Sequence, residues 1–130
     1  MEPVAVVTAL ILIQYAVFTA LVGWARGKTG IRGPATSGDP LFERCFRVQQ
    51  NSLEQMAAVI PALWLFAFYV HAGSAALLGV AYLLGRTLYA RAYVVDPARR
   101  GPGFTIGLLA TFILILGGLG GAVLAWVRPG

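Results

Sequence analysis

The chain has 130 residues and a net charge of +5; 58% of its residues are hydrophobic and only 12% are charged. A soluble domain is about 45–50% apolar and about 25% charged, so this short chain has too little polar surface to cover a water-soluble globule. The composition therefore excludes an ordinary soluble domain and favours a membrane protein. The basic residues lie in two short segments between apolar runs, and no groove-reading motif is present, so we expect no nucleic-acid partner.

The first predicted element is a membrane-spanning helix over about residues 4–24. About 20 mostly apolar residues suffice to cross the hydrocarbon of a bilayer. Only four residues interrupt this apolar run, namely Thr8, Gln14, Tyr15 and Thr19. The chain starts with Glu2 rather than with a basic segment, so we interpret the run as a retained span and not as a cleavable signal.

A loop rich in glycine and proline separates the first span from the second. We expect Gly27 and the glycines after it to break the helix. Asp39 followed by Pro40 is typical of a helix start, with proline in the first turn. The polar start and the apolar body that follows it predict a second span over about residues 44–70.

Two more spans complete the predicted bundle. The third covers about residues 72–95 and is interrupted by Arg86 and Arg91, whereas the fourth, about residues 104–127, carries no charge. Backbone groups in lipid must be paired within a segment, and none of the segments alternates as a barrel strand does. The sequence thus predicts an all-α integral membrane four-helix bundle, in a single domain of residues 1–130.

The basic residues predict how the bundle is oriented. The first and third loops with their flanks hold nine of them: Arg26, Lys28, Arg32, Arg44, Arg47, Arg86, Arg91, Arg99 and Arg100. The opposite side has only Arg128. By the positive-inside rule, we expect loops one and three in the cytoplasm and both termini on the other side of the membrane.

The second span begins with a polar stripe. Arg47, Asn51 and Glu54 are spaced i, i+4 and i+7, which places a cation, an amide and an anion on one helix face. A charge inside a membrane segment costs about 2.5 kcal/mol or more, so it pairs, faces the bundle interior or marks a site. A solvated helix extension with ordinary ion pairs is the alternative. We favour a site because Asn51 and Glu54 adjoin the apolar run.

A second polar stripe ends the third span. Arg86, Tyr89 and Tyr93 are spaced i, i+3 and i+7 and again share one face, although tyrosine and arginine at a helix end also serve as interfacial anchors. Both stripes lie at the same end of the bundle. Together they would form a cationic pocket for a small anion that bears carboxylates and one ammonium, beside a route for an apolar co-substrate.

Two motifs in these stripes resemble a known family. Residues 42–54, FERCFRVQQNSLE, contain Glu-Arg-x-x-Arg-x-x-x-Asn-x-x-Glu, and residues 85–93 contain Arg-x-x-Tyr-x-x-x-Tyr. They are similar to the second-helix and third-helix signatures of the membrane-associated proteins in eicosanoid and glutathione metabolism, which include the microsomal glutathione S-transferases. The order, the spacing and the four-span plan match over nearly the whole chain.

The resemblance implies a homotrimer that binds glutathione between neighbouring subunits near the cytoplasmic face. Carried over by position, five residues would contact glutathione: Arg47, Asn51, Glu54, Tyr89 and Tyr93. Arg26 and Gln49 match contacts made in the leukotriene-C synthases. Arg86 matches a basic position of the prostaglandin E synthase branch.

The same resemblance implies a catalytic arginine. Arg100 lies seven residues after Tyr93, where the leukotriene-C synthases carry the arginine thought to hold the thiolate, and Arg99 is the alternative if the loop shifts the register. A guanidinium in a water-poor site stabilises the thiolate, which is the nucleophile. We therefore expect transfer of glutathione to an apolar electrophile from the membrane lipid, with peroxidase activity on lipid hydroperoxides as a further reaction. No metal is expected, since His71 stands alone on the far side.

Two positions depart from the family pattern. Gln55 stands where several members have tyrosine, and Gly27 stands where the leukotriene-C synthases have a second arginine, which argues against an eicosanoid-specific activity. A non-enzymatic branch lacks the arginine that matches Arg47 and has aspartate at the Glu54 position. Retention of both residues favours an enzyme, and the alternative is a non-enzymatic lipid- or partner-binding membrane protein of the same fold.

Overall fold

A computed structural model describes residues 1–128 of the chain as a bundle of four long helices. They are α1 (Glu2–Thr29), α2 (Pro40–Tyr69), α3 (Ala72–Val95) and α4 (Gly101–Val127), with a short 3₁₀ helix (Pro97–Arg100) between α3 and α4. Residues 1–128 contain no strand. The prediction of an all-α four-helix bundle is therefore confirmed.

Local signals set the helix ends on both sides of the first loop. Asp39 caps α2 as expected, because its carboxylate accepts hydrogen bonds from two backbone N–H groups of the first turn. The expected helix break at Gly27 is wrong, since α1 continues to Thr29. It ends at Gly30, whose φ of 77° lies in the left-handed region that glycine favours at a helix C-terminus.

Three helical segments of the bundle have the length and composition of membrane spans. Among residues 1–128, three segments are long and apolar enough to cross a membrane: Glu2–Thr29, Pro40–Tyr69 and Pro97–Val127. The remaining helix, α3, is less apolar because it carries Arg86, Arg91 and three tyrosines. Many large apolar side chains point outward from the bundle, as lipid-facing surfaces require. The chain is an integral membrane protein.

Polar side chains join α1 to its neighbours inside the apolar region. The Nε2 of Gln14 donates to the carbonyl oxygen of Leu83 over 3.0 Å and to the Oγ1 of Thr87 over 3.1 Å. The indole N–H of Trp64 on α2 donates to the Oγ1 of Thr8 over 3.1 Å. Hydrogen bonds of this kind hold helices together in lipid, where burial of apolar surface gives no preference for helix over lipid contact.

Glycines allow α3 and α4 to cross closely near their polar ends. A Cβ on Gly85 would lie 2.7 Å from the backbone nitrogen of Gly107, and a Cβ on Gly103 would lie 2.7 Å from the carbonyl oxygen of Gly85. Only glycine permits so close an approach of two backbones. The crossing brings Tyr89 of α3 within 6.0 Å of Phe104 of α4, measured between ring centroids. This pair belongs to the candidate site.

Candidate functional site

A polar cavity of about 390 Å³ lies where α2 begins, α3 ends and α4 begins. Eight residues line it: Arg47, Gln50, Asn51, Glu54, Tyr89, Tyr93, Arg100 and Phe104. Small-molecule sites have volumes of about 300–1,000 Å³, so the cavity is large enough for one. Six of the nine site residues predicted from the sequence line this one cavity.

Three of the lining residues come from the predicted stripe on α2. Arg47 and Glu54 are exposed, and neither takes part in an ion pair within residues 1–128, so both charges face the cavity without a protein counter-ion. The Oδ1 of Asn51 is buried and accepts no hydrogen bond from the described residues. A buried acceptor without a donor costs about 1–3 kcal/mol. A ligand with N–H groups would satisfy it.

Two tyrosines of α3 form the aromatic wall of the cavity. The rings of Tyr89 and Tyr93 lie 5.5 Å apart between centroids, in a tilted arrangement. Tyr89 is buried and also packs against Phe104, whereas Tyr93 is half-buried. The wall therefore combines apolar ring surface with two phenolic hydroxyls, as a site for a polar molecule at the edge of lipid requires.

Two lining residues were not assigned to the site from the sequence. Gln50 follows Arg47 by three positions and precedes Glu54 by four, so helical spacing could have placed it on the same face. Phe104 stands at the start of an apolar helix and carries no polar signal. Its place in the cavity follows only from the close crossing of α3 and α4.

Arg100 reaches the cavity from the 3₁₀ helix that joins α3 to α4. Its Nη1 donates to the carbonyl oxygen of Pro97 over 3.0 Å, and its side chain remains exposed. The neighbouring Arg99 faces away, since its Nε lies 3.9 Å from a carboxylate oxygen of Asp96 and it does not line the cavity. The geometry therefore favours Arg100 over Arg99 as the arginine of this site.

Arg86 lies behind the cavity rather than in it. Its side chain is 1% exposed, and its guanidinium carbon sits 4.1 Å from the ring centroid of Tyr89. Its Nη2 donates to the Oγ of Ser52 on α2 over 2.7 Å, and its Nε has no hydrogen-bond partner in residues 1–128. The structure thus places Arg86 beneath Tyr89, where it supports the wall of the cavity. Ser52 was not singled out from the sequence.

Arg26 and Gln49 lie away from this cavity. Arg26, near the end of α1, donates to the carbonyl oxygen of Ala35 over 2.8 Å and stacks 4.6 Å from the ring centroid of Phe42. Gln49 donates to the Oγ1 of Thr19 on α1 over 3.0 Å. Neither residue lines the cavity. One chain therefore does not bring all nine predicted residues together.

The fold and the cavity define an integral membrane four-helix bundle with a cationic, amide-bearing site at one end. The MAPEG family model matches residues 4–120 of the chain. The chain belongs to this family, the membrane-associated proteins in eicosanoid and glutathione metabolism, and the resemblance seen in its sequence motifs is confirmed.

Curated relatives match most of the chain. An uncharacterized protein of Synechocystis sp. is 48% identical over 115 residues, which are 88% of this chain and 84% of that protein. Microsomal glutathione S-transferase 2 of Homo sapiens is 39% identical over 118 residues, 89% of this chain and 80% of the relative. Leukotriene C4 synthase of Rattus norvegicus is 38% identical over 96 residues, 74% of this chain and 64% of the relative.

Proposed function

We propose that this protein is a membrane-bound glutathione transferase that adds the glutathione thiolate to apolar electrophiles. The observation that carries the proposal is the single cavity at which Arg47, Asn51, Glu54, Tyr93 and Arg100 meet. Two of the relatives are named a glutathione S-transferase and a leukotriene synthase, which supports glutathione as the co-substrate.

The charges of the cavity match those of glutathione, which has two carboxylates, one ammonium, two peptide groups and a thiol. We assign the ammonium to the exposed carboxylate of Glu54 and a carboxylate to the guanidinium of Arg47, which can bind it with two parallel hydrogen bonds. A peptide N–H would donate to the unpartnered Oδ1 of Asn51. Each of these three groups then has a partner of opposite sign or complementary hydrogen-bonding character.

Arg100 is the residue that we assign to the thiol. The thiolate is the nucleophile, and a guanidinium beside it favours the anionic form and lowers the thiol pKa. The thiol proton leaves to water at the open mouth of the cavity. The sulfur then forms a bond to the electrophilic carbon while the leaving group departs with its electron pair. Attack on a lipid hydroperoxide would instead give an alcohol and a sulfenic acid, which a second glutathione converts to the disulfide and water.

We further propose that a homotrimer completes the site at a subunit boundary. Arg26 and Gln49 lie outside the cavity of their own chain, so they reach glutathione only if a neighbouring copy supplies them. Native mass spectrometry in detergent should then find three chains per particle. We also propose that the cavity opens on the cytoplasmic side, because nine of the ten basic residues lie at that end.

A non-enzymatic protein that holds lipid or a partner helix is the alternative from a different class. The large exposed apolar surface supports it, since lipid or another helix could cover that surface equally well. The two readings differ in one property. The alternative has no affinity for glutathione, whereas the transferase binds it at the polar cavity.

The test is a conjugation assay on purified, detergent-solubilised protein with glutathione and a generic aryl halide. We expect activity in the wild type and in Arg32→Ala, a control that removes a charge from the exposed first loop. Arg47→Ala and Glu54→Ala should each reduce the glutathione affinity at least about tenfold, because each removes charge-assisted hydrogen bonds. Unchanged activity in both variants would refute the site assignment, and absent activity with no glutathione binding would support the alternative.

A further inference from the structure

A second cavity, of about 350 Å³, lies between α1, α2 and α3. Its walls are mostly apolar, among them Phe18 and Leu21 of α1, Val48 of α2, and Ala90 and Val94 of α3. Leu21 is exposed on the outer surface of the bundle, so the cavity is a groove that opens sideways. We call it the lateral groove.

The lateral groove is separate from the polar cavity. On α2, Val48 lines the groove and Arg47 lines the polar cavity. On α3, Ala90 lines the groove and Tyr89 lines the polar cavity. The two cavities share no lining residue. Because α2 and α3 stand between them, a molecule in the groove cannot reach a thiol held at the polar cavity of the same chain. Within one chain, the groove is therefore not a route for the co-substrate of the transferase.

Cationic side chains stand in and beside the lateral groove. Arg91 lines the groove with an exposed side chain. Beside it, the Nη1 of Arg44 donates to the carbonyl oxygens of Val94 and Val95, over 3.2 Å in each case. Within residues 1–128 no carboxylate forms an ion pair with either arginine, and the nearby Asp96 lies against Arg99 instead. The groove is thus positive around Arg91, and this charge has no ion-pair partner within residues 1–128.

We propose that the lateral groove binds one anionic phospholipid of the surrounding bilayer, with an acyl chain along α1 and α3 and the phosphate at Arg91. An apolar slot with an exposed guanidinium in its wall complements an acyl chain that carries an anionic headgroup. The volume of the slot falls in the range of small-ligand sites. The bound lipid would brace α1 against α3, in addition to the contacts of Gln14 with Leu83 and Thr87. This proposal does not depend on the transferase activity.

Native mass spectrometry of the whole protein, extracted from vesicles of phosphatidylglycerol and phosphatidylcholine, tests the proposal. We expect one phosphatidylglycerol retained per wild-type chain. Arg91→Ala should reduce that retention about tenfold, the effect of losing one charge-assisted contact, while the control Arg32→Ala retains the lipid. Leu21→Trp, which fills the groove from an exposed position, should also lose the lipid. The midpoint of thermal unfolding should rise on addition of phosphatidylglycerol in the wild type and not in Arg91→Ala.

Four results would overturn the proposal. The first is that Arg91→Ala and Arg32→Ala retain equal amounts of phosphatidylglycerol, and the second is that the wild type retains phosphatidylcholine and phosphatidylglycerol equally. The third is that a free fatty acid is retained in place of the phospholipid. The fourth is that the wild type retains no lipid, as it would if a second copy covered the groove. A phosphatidylglycerol with a photoreactive acyl chain gives a second check. Its crosslinks should fall on Phe18, Leu21 or Val48, and an even spread over the outer face of α4 would contradict the assignment.

Discussion

Arg86 of α3 donates a hydrogen bond from its Nη2 to the Oγ of Ser52 on α2 across 2.7 Å, and both side chains are buried. The same guanidinium lies 4.1 Å from the ring centroid of Tyr89. One buried cation therefore ties the polar stripe of α2 to the aromatic wall on α3. This contact joins the two walls of the polar cavity from behind.

The first prediction concerns the Arg86–Ser52 contact. Ser52→Ala should lower the free energy of unfolding by about 1–3 kcal/mol, because it leaves a buried guanidinium N–H without an acceptor. Thermal unfolding in detergent measures the loss. Ser52→Thr, which keeps a hydroxyl, should recover most of it, and Ser37→Ala in the exposed first loop should have no effect. Equal unfolding midpoints for Ser52→Ala and the wild type would show that the bond contributes nothing to stability.

The second prediction concerns the crossing of α3 and α4. Gly103→Ala should destabilise the protein by about 1–3 kcal/mol, because its Cβ would meet the backbone of Tyr89 and must push the helices apart. Gly107→Ala is the matched control one turn further along, where the nearest atom to a new Cβ is the Cδ of Arg86 at an ordinary 3.5 Å. Similar unfolding midpoints for the two variants would argue against the close crossing.

The third prediction separates binding from stability at Asn51. Asn51→Leu removes a buried acceptor that has no donor within the described chain, so the stability without ligand should stay equal or rise. The affinity for glutathione should fall about tenfold or more, because the ligand loses a hydrogen-bond partner. Calorimetry and thermal unfolding on the same sample measure the two effects. A lower unfolding midpoint with unchanged affinity would assign Asn51 a structural role instead.

The fourth prediction assigns the thiolate to one arginine. Arg100→Ala should raise the apparent pKa of bound glutathione, since the cation that favours the thiolate is lost. Thiolate formation then needs a higher pH, so the ultraviolet absorbance of the bound thiolate should appear at a higher pH than in the wild type. Arg99→Ala is the control, because Arg99 faces Asp96 and not the cavity. A shift in the Arg99 variant alone would exchange the roles of the two residues.

Helical spacing predicted the cavity-facing stripe of α2, since Arg47, Asn51 and Glu54 line one cavity as their spacing requires. Helical spacing was less informative for α3. Arg86 shares a stripe with Tyr89 and Tyr93, but it lies behind the cavity, where it donates a hydrogen bond to Ser52 on α2. Spacing defines a face within one helix and does not tell which residue of a neighbouring helix meets it.

The remaining site residues depended on tertiary contacts that a linear pattern does not contain. Phe104 enters the cavity because Gly85 and Gly103 let α4 approach α3, and no polar signal marks it. Arg26 and Gln49 were predicted from the family resemblance, and they lie on the α1 side, outside the cavity of their own chain. A resemblance transfers residues by position and does not say which copy of the chain supplies them.

The most direct test of the central claim is an experimental structure of the detergent-solubilised protein with glutathione bound. We predict glutathione between α2, α3 and α4, with its ammonium at Glu54, a carboxylate at Arg47 and its sulfur beside Arg100, and with Arg26 and Gln49 of a neighbouring copy completing the site. Glutathione found elsewhere, or a polar cavity that stays without it at saturating concentration, would contradict the account.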